Sequence, residues 1–176
     1  MSRREITNRL TEKWAYIPAT APQKNSSLVV FVHGYGGKYL DTWGDLAELI
    51  TRNADEAEPF KHWDYAFRGY STWDIDTYLD ISKLISTELN AAAAGARPYI
   101  SRYEKFALVG HSLGTLGIRQ LLCDWKSHSP GLLSKLHSIT LFASPIAGSF
   151  LAPFGVGAIA DSLKPNGAQL RMLKEC

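Results

Sequence analysis

Apolar residues along the chain gather into short continuous runs, separated by stretches in which they recur every three or four positions. Leu28-Val29-Val30-Phe31-Val32 is unbroken, rich in β-branched residues and stopped by glycine. That is the pattern of a strand covered on both faces. Trp63 to Phe67 repeats it more weakly, Phe106 to Val109 and Ile139 to Phe142 repeat it clearly, and Trp14 to Ile17 is a further candidate. Helical spacing appears between them. The pattern predicts a helix from about Thr42 to Arg52 and one over Trp73 to Ala94, where Ile75, Leu79, Ser82, Ile85 and Leu89 share a face. Gly95 and Pro98 close the latter. A third helix carries Leu116, Leu121, Leu122 and Trp125 and ends before Ser129-Pro130-Gly131, and a last one starts near Asn166 and reaches Leu173. Strands alternating with helices pair in parallel through right-handed crossovers, so the expected fold is a three-layer α/β sandwich around a mostly parallel sheet.

Composition narrows this picture. A chain of 176 residues with 45% hydrophobic and 11% aromatic residues has material for one core. We expect residues 1–24 to be an extension with one possible strand and residues 25–176 to form the α/β domain. The net charge of +2 argues against a dedicated nucleic-acid binder. Charge is uneven: 10 basic and 13 acidic residues lie up to Asn90, against 9 and 4 from Ala91 onward. Carboxylates are therefore scarce in the second part. Cys123 and Cys176 imply no disulfide framework, and Cys123 reads as a packed thiol. No apolar run is long enough to cross a membrane, and the start lacks a secretory signal, so the expected location is cytoplasmic.

Two glycine-flanked motifs carry the candidate chemistry. Gly110-His111-Ser112-Leu113-Gly114 falls where a strand gives way to a helix. So sharp a turn forces its middle residue into strained backbone angles and lifts the side chain clear of the sheet. Ser112 would then present its hydroxyl at a helix N-terminus, where main-chain N–H groups can meet developing negative charge. The competing reading is a turn that needs glycine for packing only. The second motif, His33-Gly34-Tyr35-Gly36-Gly37, follows the first buried strand and offers amides to an oxyanion. The two donors would be the N–H groups of Tyr35 and Leu113. His33 would order the loop by hydrogen bonding. A phosphate-cradling loop is the rival, but no Gly-Lys-Ser/Thr follows and Tyr39 breaks G-x-G-x-x-G.

On these residues the chain resembles the α/β-hydrolase superfamily. Phe31-Val32-His33-Gly34-Tyr35-Gly36-Gly37 is similar to the oxyanion loop of lipases and esterases, and Phe106 to Gly114 to their nucleophile strand and elbow. Leu141-Phe142-Ala143-Ser144-Pro145-Ile146-Ala147-Gly148-Ser149 is similar to a segment of the GPI-inositol-deacylase-like serine esterases. Their pattern there is Gly-Thr-Pro-His-x-Gly-Ser, from which Ala143, Ser144 and Ile146 depart. The resemblance implies hydrolysis of small-molecule or lipid esters through a nucleophilic serine and an acyl-enzyme. It implies no metal and no organic cofactor.

It also implies an acid and a histidine after the serine. After Ser112 the chain offers Asp124, Asp161 and Glu175, with His128 and His137. Asp124 lies 12 residues along the expected helix, roughly 18 Å away at 1.5 Å per residue. His128 lies farther along, and His137 precedes its strand. A base must reach its nucleophile by hydrogen bond. His128 and His137 are therefore expected on the surface, away from the serine; Asp161 fits the serine's side of the sheet, but no histidine follows it. His111 adjoins Ser112 at an elbow where neighbouring side chains diverge, and His62 precedes a strand. The expectation is that this chain is the N-terminal two-thirds of a hydrolase domain within a larger parent protein. The alternative is a catalytically incomplete module used for interaction or signalling. Phe150 to Val156 reads equally as a lid or as an ordinary packed segment.

Overall fold

Strand β3 (Ser26–Val32) sits in the middle of the sheet because its side chains are apolar on both sides. Leu28, Val30 and Val32 point into one core cluster, and Phe31 points into the other. A computed structural model describes residues 7–9, 14–19, 26–53, 62–96, 102–149, 158–165 and 167–175. Around β3 run β1 (Thr7–Arg9), β2 (Trp14–Ile17), β4 (Trp63–Arg68), β5 (Tyr103–His111) and β6 (Leu136–Phe142). The helices are α1 (Leu46–Arg52), α2 (Tyr78–Ala94), α3 (Leu113–His128), α4 (Pro130–Leu133), α5 (Ala158–Ser162) and α6 (Ala168–Glu175).

The six strands lie in the order β1-β2-β4-β3-β5-β6. β4, β3, β5 and β6 are parallel, and β2 and β1 add an antiparallel edge. Helix α1 covers one face through Ala47 and Ile50, against Phe31, Tyr65 and Phe67. Helices α2, α3 and α6 cover the other. This is the expected three-layer α/β arrangement, and its order positions the site. From β3 the chain leaves to α1 on one face; from β5 it leaves to α3 on the opposite face. The carboxyl ends of these neighbouring strands therefore open a crevice, the place where open α/β sheets bind ligands.

Two helices begin later than their periodicity suggests. The expected Thr42–Arg52 helix is a 3-10 turn at Asp41–Trp43 followed by α1, interrupted at Gly44 with φ 55°. The expected Trp73–Ala94 helix begins at Tyr78. Thr77 caps it, and the Asp80 side chain accepts the Thr77 N–H at 3.1 Å, a reciprocal capping box. Residues 73–76 are thereby released into the loop beside the site. Strand β1 and helices α4 and α5 had no clear sequence signal. Cys123, expected as a packed thiol, is disulfide-bonded. The sequence holds one other cysteine, Cys176, which lies outside the described residues. Disulfides persist in oxidising compartments, so this bond and the cytoplasmic expectation pull in opposite directions. No described helix is long and apolar enough to cross a membrane.

At the amino ends of the parallel strands, Asp64 is buried between two phenols. The hydroxyls of Tyr16 and Tyr103 both reach its Oδ2, the two hydroxyls lie 2.8 Å apart, and Ala19 N–H donates to Oδ1 at 2.6 Å. This cluster ties β2 to the parallel strands. Burial, reinforced by the Asp64 charge, pushes both phenols far above their usual range.

Candidate active site

Ser112 stands between the last residue of β5 and the first of α3, with φ 51° and ψ −121°. That conformation is costly for a residue with a side chain, by about 1–3 kcal/mol, and persists only where its surroundings hold it. The hold is visible. Ser112 N–H donates to the Phe142 carbonyl at 2.8 Å, and its own carbonyl accepts from Thr115 N–H at 3.0 Å. Thr115 Oγ1 lies 2.6 Å from that carbonyl and 2.8 Å from Ser144 Oγ. The elbow is thus tied to β6 and to the loop after it.

The motif glycines are required by contact. A Cβ on Gly110 would lie 2.8 Å from Ile118 Cδ1, and one on Gly114 would lie 2.5 Å from the carbonyl oxygens of Val32 and His33. Glycine at both positions lets α3 start against β3 and β5. A Cβ on Gly34 would lie 2.7 Å from Ser112 Cβ and 3.2 Å from its Oγ. The loop after β3 therefore runs directly beside the serine hydroxyl. Gly37 is hemmed in by Thr42 and His33, whereas Gly36, at φ 66°, is needed for its backbone alone.

His33 is wholly buried and acts as the loop's internal brace. Its Nδ1 lies 2.7 Å from the Gly34 carbonyl, and its Nε2 lies 3.1 Å from the Tyr70 N–H. An amide N–H can only donate, so Nε2 is the accepting nitrogen and Nδ1–H donates to Gly34. The Tyr70 hydroxyl donates to the His33 carbonyl at 2.6 Å, and the two rings stack at 4.2 Å. Burial pushes the Tyr70 phenol well above its usual value. Tyr70 is a residue that sequence reasoning missed in this role. It lies 37 positions from His33, and only the pairing of β3 with β4 brings them together.

The two amides expected to act as donors sit differently. Leu113 opens α3, and the first N–H groups of a helix have no partner within it. Tyr35 follows Gly34 and is 50% exposed. The His111 ring is turned toward Trp43 on the α1 face, 6.5 Å between centroids. Ala143 carries φ 51° at the position where the serine-esterase pattern has glycine, which gives that pattern a backbone reason.

The later candidates stay apart from the serine. Asp124 accepts from Ser82 at 3.1 Å and from Gln120 at 2.9 Å, deep along α3, and His128 reaches only the Asp124 carbonyl, at 3.2 Å. His137 packs against Trp63 near the start of β6, while Ser112 is bonded to Phe142 at its end. Asp161 pairs with Lys164 on the surface. Among the described residues no histidine is hydrogen-bonded to Ser112, and none forms a metal-binding cluster with neighbouring His, Cys, Asp or Glu. Phe150 to Val156 lies outside the described residues.

The sheet order, the helices on both faces and a serine at the strand-to-helix elbow together define an α/β-hydrolase fold of the lipase and esterase type. The chain belongs to the family described as "Putative serine esterase (DUF676)", whose model matches residues 22–157. No curated protein matches it in sequence. Among solved structures it is similar to phospholipase PlaB from Legionella pneumophila, with a TM-score of 0.66 and 20% identity over 86% of this chain and 35% of that one. The same phospholipase in complex with thio-NAD gives 0.65 and 19%, over 85% and 33%. An inhibited esterase B from Lactobacillus rhamnosis gives 0.51 and 12%, over 92% and 49%. The chain thus spans about a third of the phospholipase and half of the esterase.

Proposed function

We propose that this chain is the nucleophile-bearing part of a serine ester hydrolase acting on carboxylic esters or lipids. The observation that carries the reading is the strained backbone of Ser112, held between β5 and α3 with its hydroxyl against Gly34. Strain of this kind is retained where a side chain must be presented. In the proposed reaction Ser112 Oγ attacks the acyl carbon, and the N–H groups of Tyr35 and Leu113 stabilise the tetrahedral oxyanion. A loop amide paired with the amide after the nucleophile is the donor arrangement such chemistry uses. Hydrolysis of the acyl-enzyme by water returns the serine. His33 positions the loop; Gly34, Gly36, Gly37, Gly110 and Gly114 allow the close approaches; His111 supports the end of β5.

The base and acid of the triad come, on this reading, from polypeptide outside these 176 residues, in a larger parent protein. The engaged nitrogens of His33 and the distant positions of His128 and His137 favour that assignment. The same observation favours a second reading, a hydrolase-fold module without catalysis. A fluorophosphonate probe separates the two. Labelling of the parent protein that disappears in Ser112→Ala supports the enzyme; labelling that persists at this site in the variant rejects it. An isolated chain without a base should turn over slower by several orders of magnitude.

A further inference from the structure

One peptide unit, between Ser112 and Leu113, carries both a candidate oxyanion donor, the Leu113 N–H, and a carbonyl that Thr115 holds by hydrogen bond. A peptide unit is planar and trans, so its N–H and C=O point in opposite directions and neither turns without the other. We propose that Thr115, held in turn by Ser144, is a positioning residue for the oxyanion: by pinning the Ser112 carbonyl it aims the Leu113 N–H. The inference rests on Ser112 being the nucleophile and adds what fixes one of the two donors beside it.

The direction of the bonds follows from their chemistry. The Ser112 carbonyl accepts from Thr115 N–H at 3.0 Å and lies 2.6 Å from Thr115 Oγ1. A carbonyl oxygen only accepts, so the single hydroxyl proton of Thr115 goes to it. Thr115 Oγ1 then has only lone pairs to offer Ser144 Oγ, 2.8 Å away, and Ser144 is the donor. The result is a chain that runs one way, from the Ser144 hydroxyl to the Thr115 hydroxyl to the Ser112 carbonyl, and out through the Leu113 N–H. Bonds in such a chain strengthen one another, by about 10–30% each, so the last N–H becomes a better donor. No proton is transferred along it. When Ser112 Oγ bonds to the acyl carbon, the electron pair of the substrate C=O moves onto its oxygen, and the aimed N–H meets that charge.

A threonine in a helix commonly bonds back to a carbonyl three residues earlier without further consequence. Two observations set Thr115 apart. The carbonyl it holds belongs to Ser112, whose φ 51° and ψ −121° lie outside the helical range, so the helix itself does not set that peptide plane. The second hydroxyl comes from 29 positions away, in the loop after β6. Thr115 is also wholly buried, with its backbone against Gly110, where a Cβ would come within 3.2 Å of Thr115 Cα and N. Its hydroxyl has no solvent to turn to.

The test compares Thr115→Val, which keeps the shape and loses the hydroxyl, with Thr115→Ser, which keeps the hydroxyl, and with Ser144→Ala. In the parent protein acting on p-nitrophenyl butyrate, Thr115→Val should lower kcat about tenfold with KM unchanged, less than the roughly 10²–10³ lost when a whole donor is removed. Thr115→Ser should restore most of that loss and Ser144→Ala should fall between. Adding Ser144→Ala to Thr115→Val should change nothing further. A loss that serine does not rescue, or one that falls on KM, overturns the proposal. A second readout needs no turnover. In amide NMR spectra of the chain, the Leu113 N–H proton should move upfield in Thr115→Val, by less in Ser144→Ala, and return in Thr115→Ser. An unmoved resonance overturns the proposal even where Ser112 labels with fluorophosphonate. A resonance that responds in a protein whose Ser112 resists the probe supports the positioning and rejects the nucleophile, so the two failures are told apart.

Discussion

Among the described residues, two with side chains occupy positive φ, and their settings differ. Ser112 holds its conformation at the β5–α3 elbow against Gly34, whereas Ala143 turns the chain after β6. Ala143→Gly should stabilise the fold by about 0.5–1 kcal/mol, since glycine adopts this conformation freely and loses only part of the gain to its looser unfolded chain. Urea denaturation would measure it, and unchanged or lowered stability would count against the strain. The buried phenols make a second prediction. Tyr16, Tyr70 and Tyr103 all have pKa values raised above 10 by burial, so the folded state holds protons that the unfolded chain releases above about pH 10. Their contribution is fully present below that pH and declines above it, by about 1.4 kcal/mol per pH unit for each phenol. Denaturation midpoints across pH 9–12 should fall accordingly, and more gently in Tyr70→Phe. The two glycine-flanked motifs were legible as patterns, and Gly36 answers a local backbone demand, whereas Gly34 and Gly114 answer contacts with Ser112 and the end of β3. The links of Tyr70 to His33 and of Thr115 to Ser144 were not legible, since those partners come from loops after other strands.

At the scale of elements, the packing of α2 on α3 turns on Gly117. A Cβ there would press on Ile81 Cγ2 and come within 2.7 Å of Ile81 Cβ. Alanine is the better helix former by about 1 kcal/mol, but overpacking costs about 1–3 kcal/mol, so the clash should win. Gly117→Ala should lower stability, and Ile81→Ala should cost less in that background than alone, a coupling read from a double-mutant cycle. The start of α2 shows where periodicity misleads. Ile75 fits the helical face, yet the helix begins at Tyr78, because the Thr77–Asp80 capping box satisfies the first free N–H groups. Thr77→Ala should cost about 1 kcal/mol. Of the residues so released, Trp73 lines a cleft of about 330 Å³ between the β3–α1 and β4–α2 loops. Strands β3, β4 and β5 were readable because burial on both faces leaves unbroken apolar runs. Strand β1, Thr7–Arg9, is polar and owes its place to pairing with β2.

For the molecule as a whole, stability should be greatest where the sheet is covered on both faces. Amide hydrogen exchange should be slowest in β3 and β5 and faster in β1 and α6, since local opening is easiest where few apolar contacts resist it. Equal protection throughout would contradict the layered core. The same arrangement decides the chemistry. Amino-acid order alone determined the strand–helix alternation and showed the two glycine-flanked motifs, because each is a pattern among neighbours within a few positions. It also revealed the shortage of acids and histidines after Ser112, which is a matter of counting. Tertiary structure decided the rest: which histidine is braced by which tyrosine, which face each helix covers, and that a cleft opens between two loops 35 residues apart. Those depend on strand order, and β3 lies between β4 and β5 only because the chain crosses over it, an arrangement no local pattern encodes.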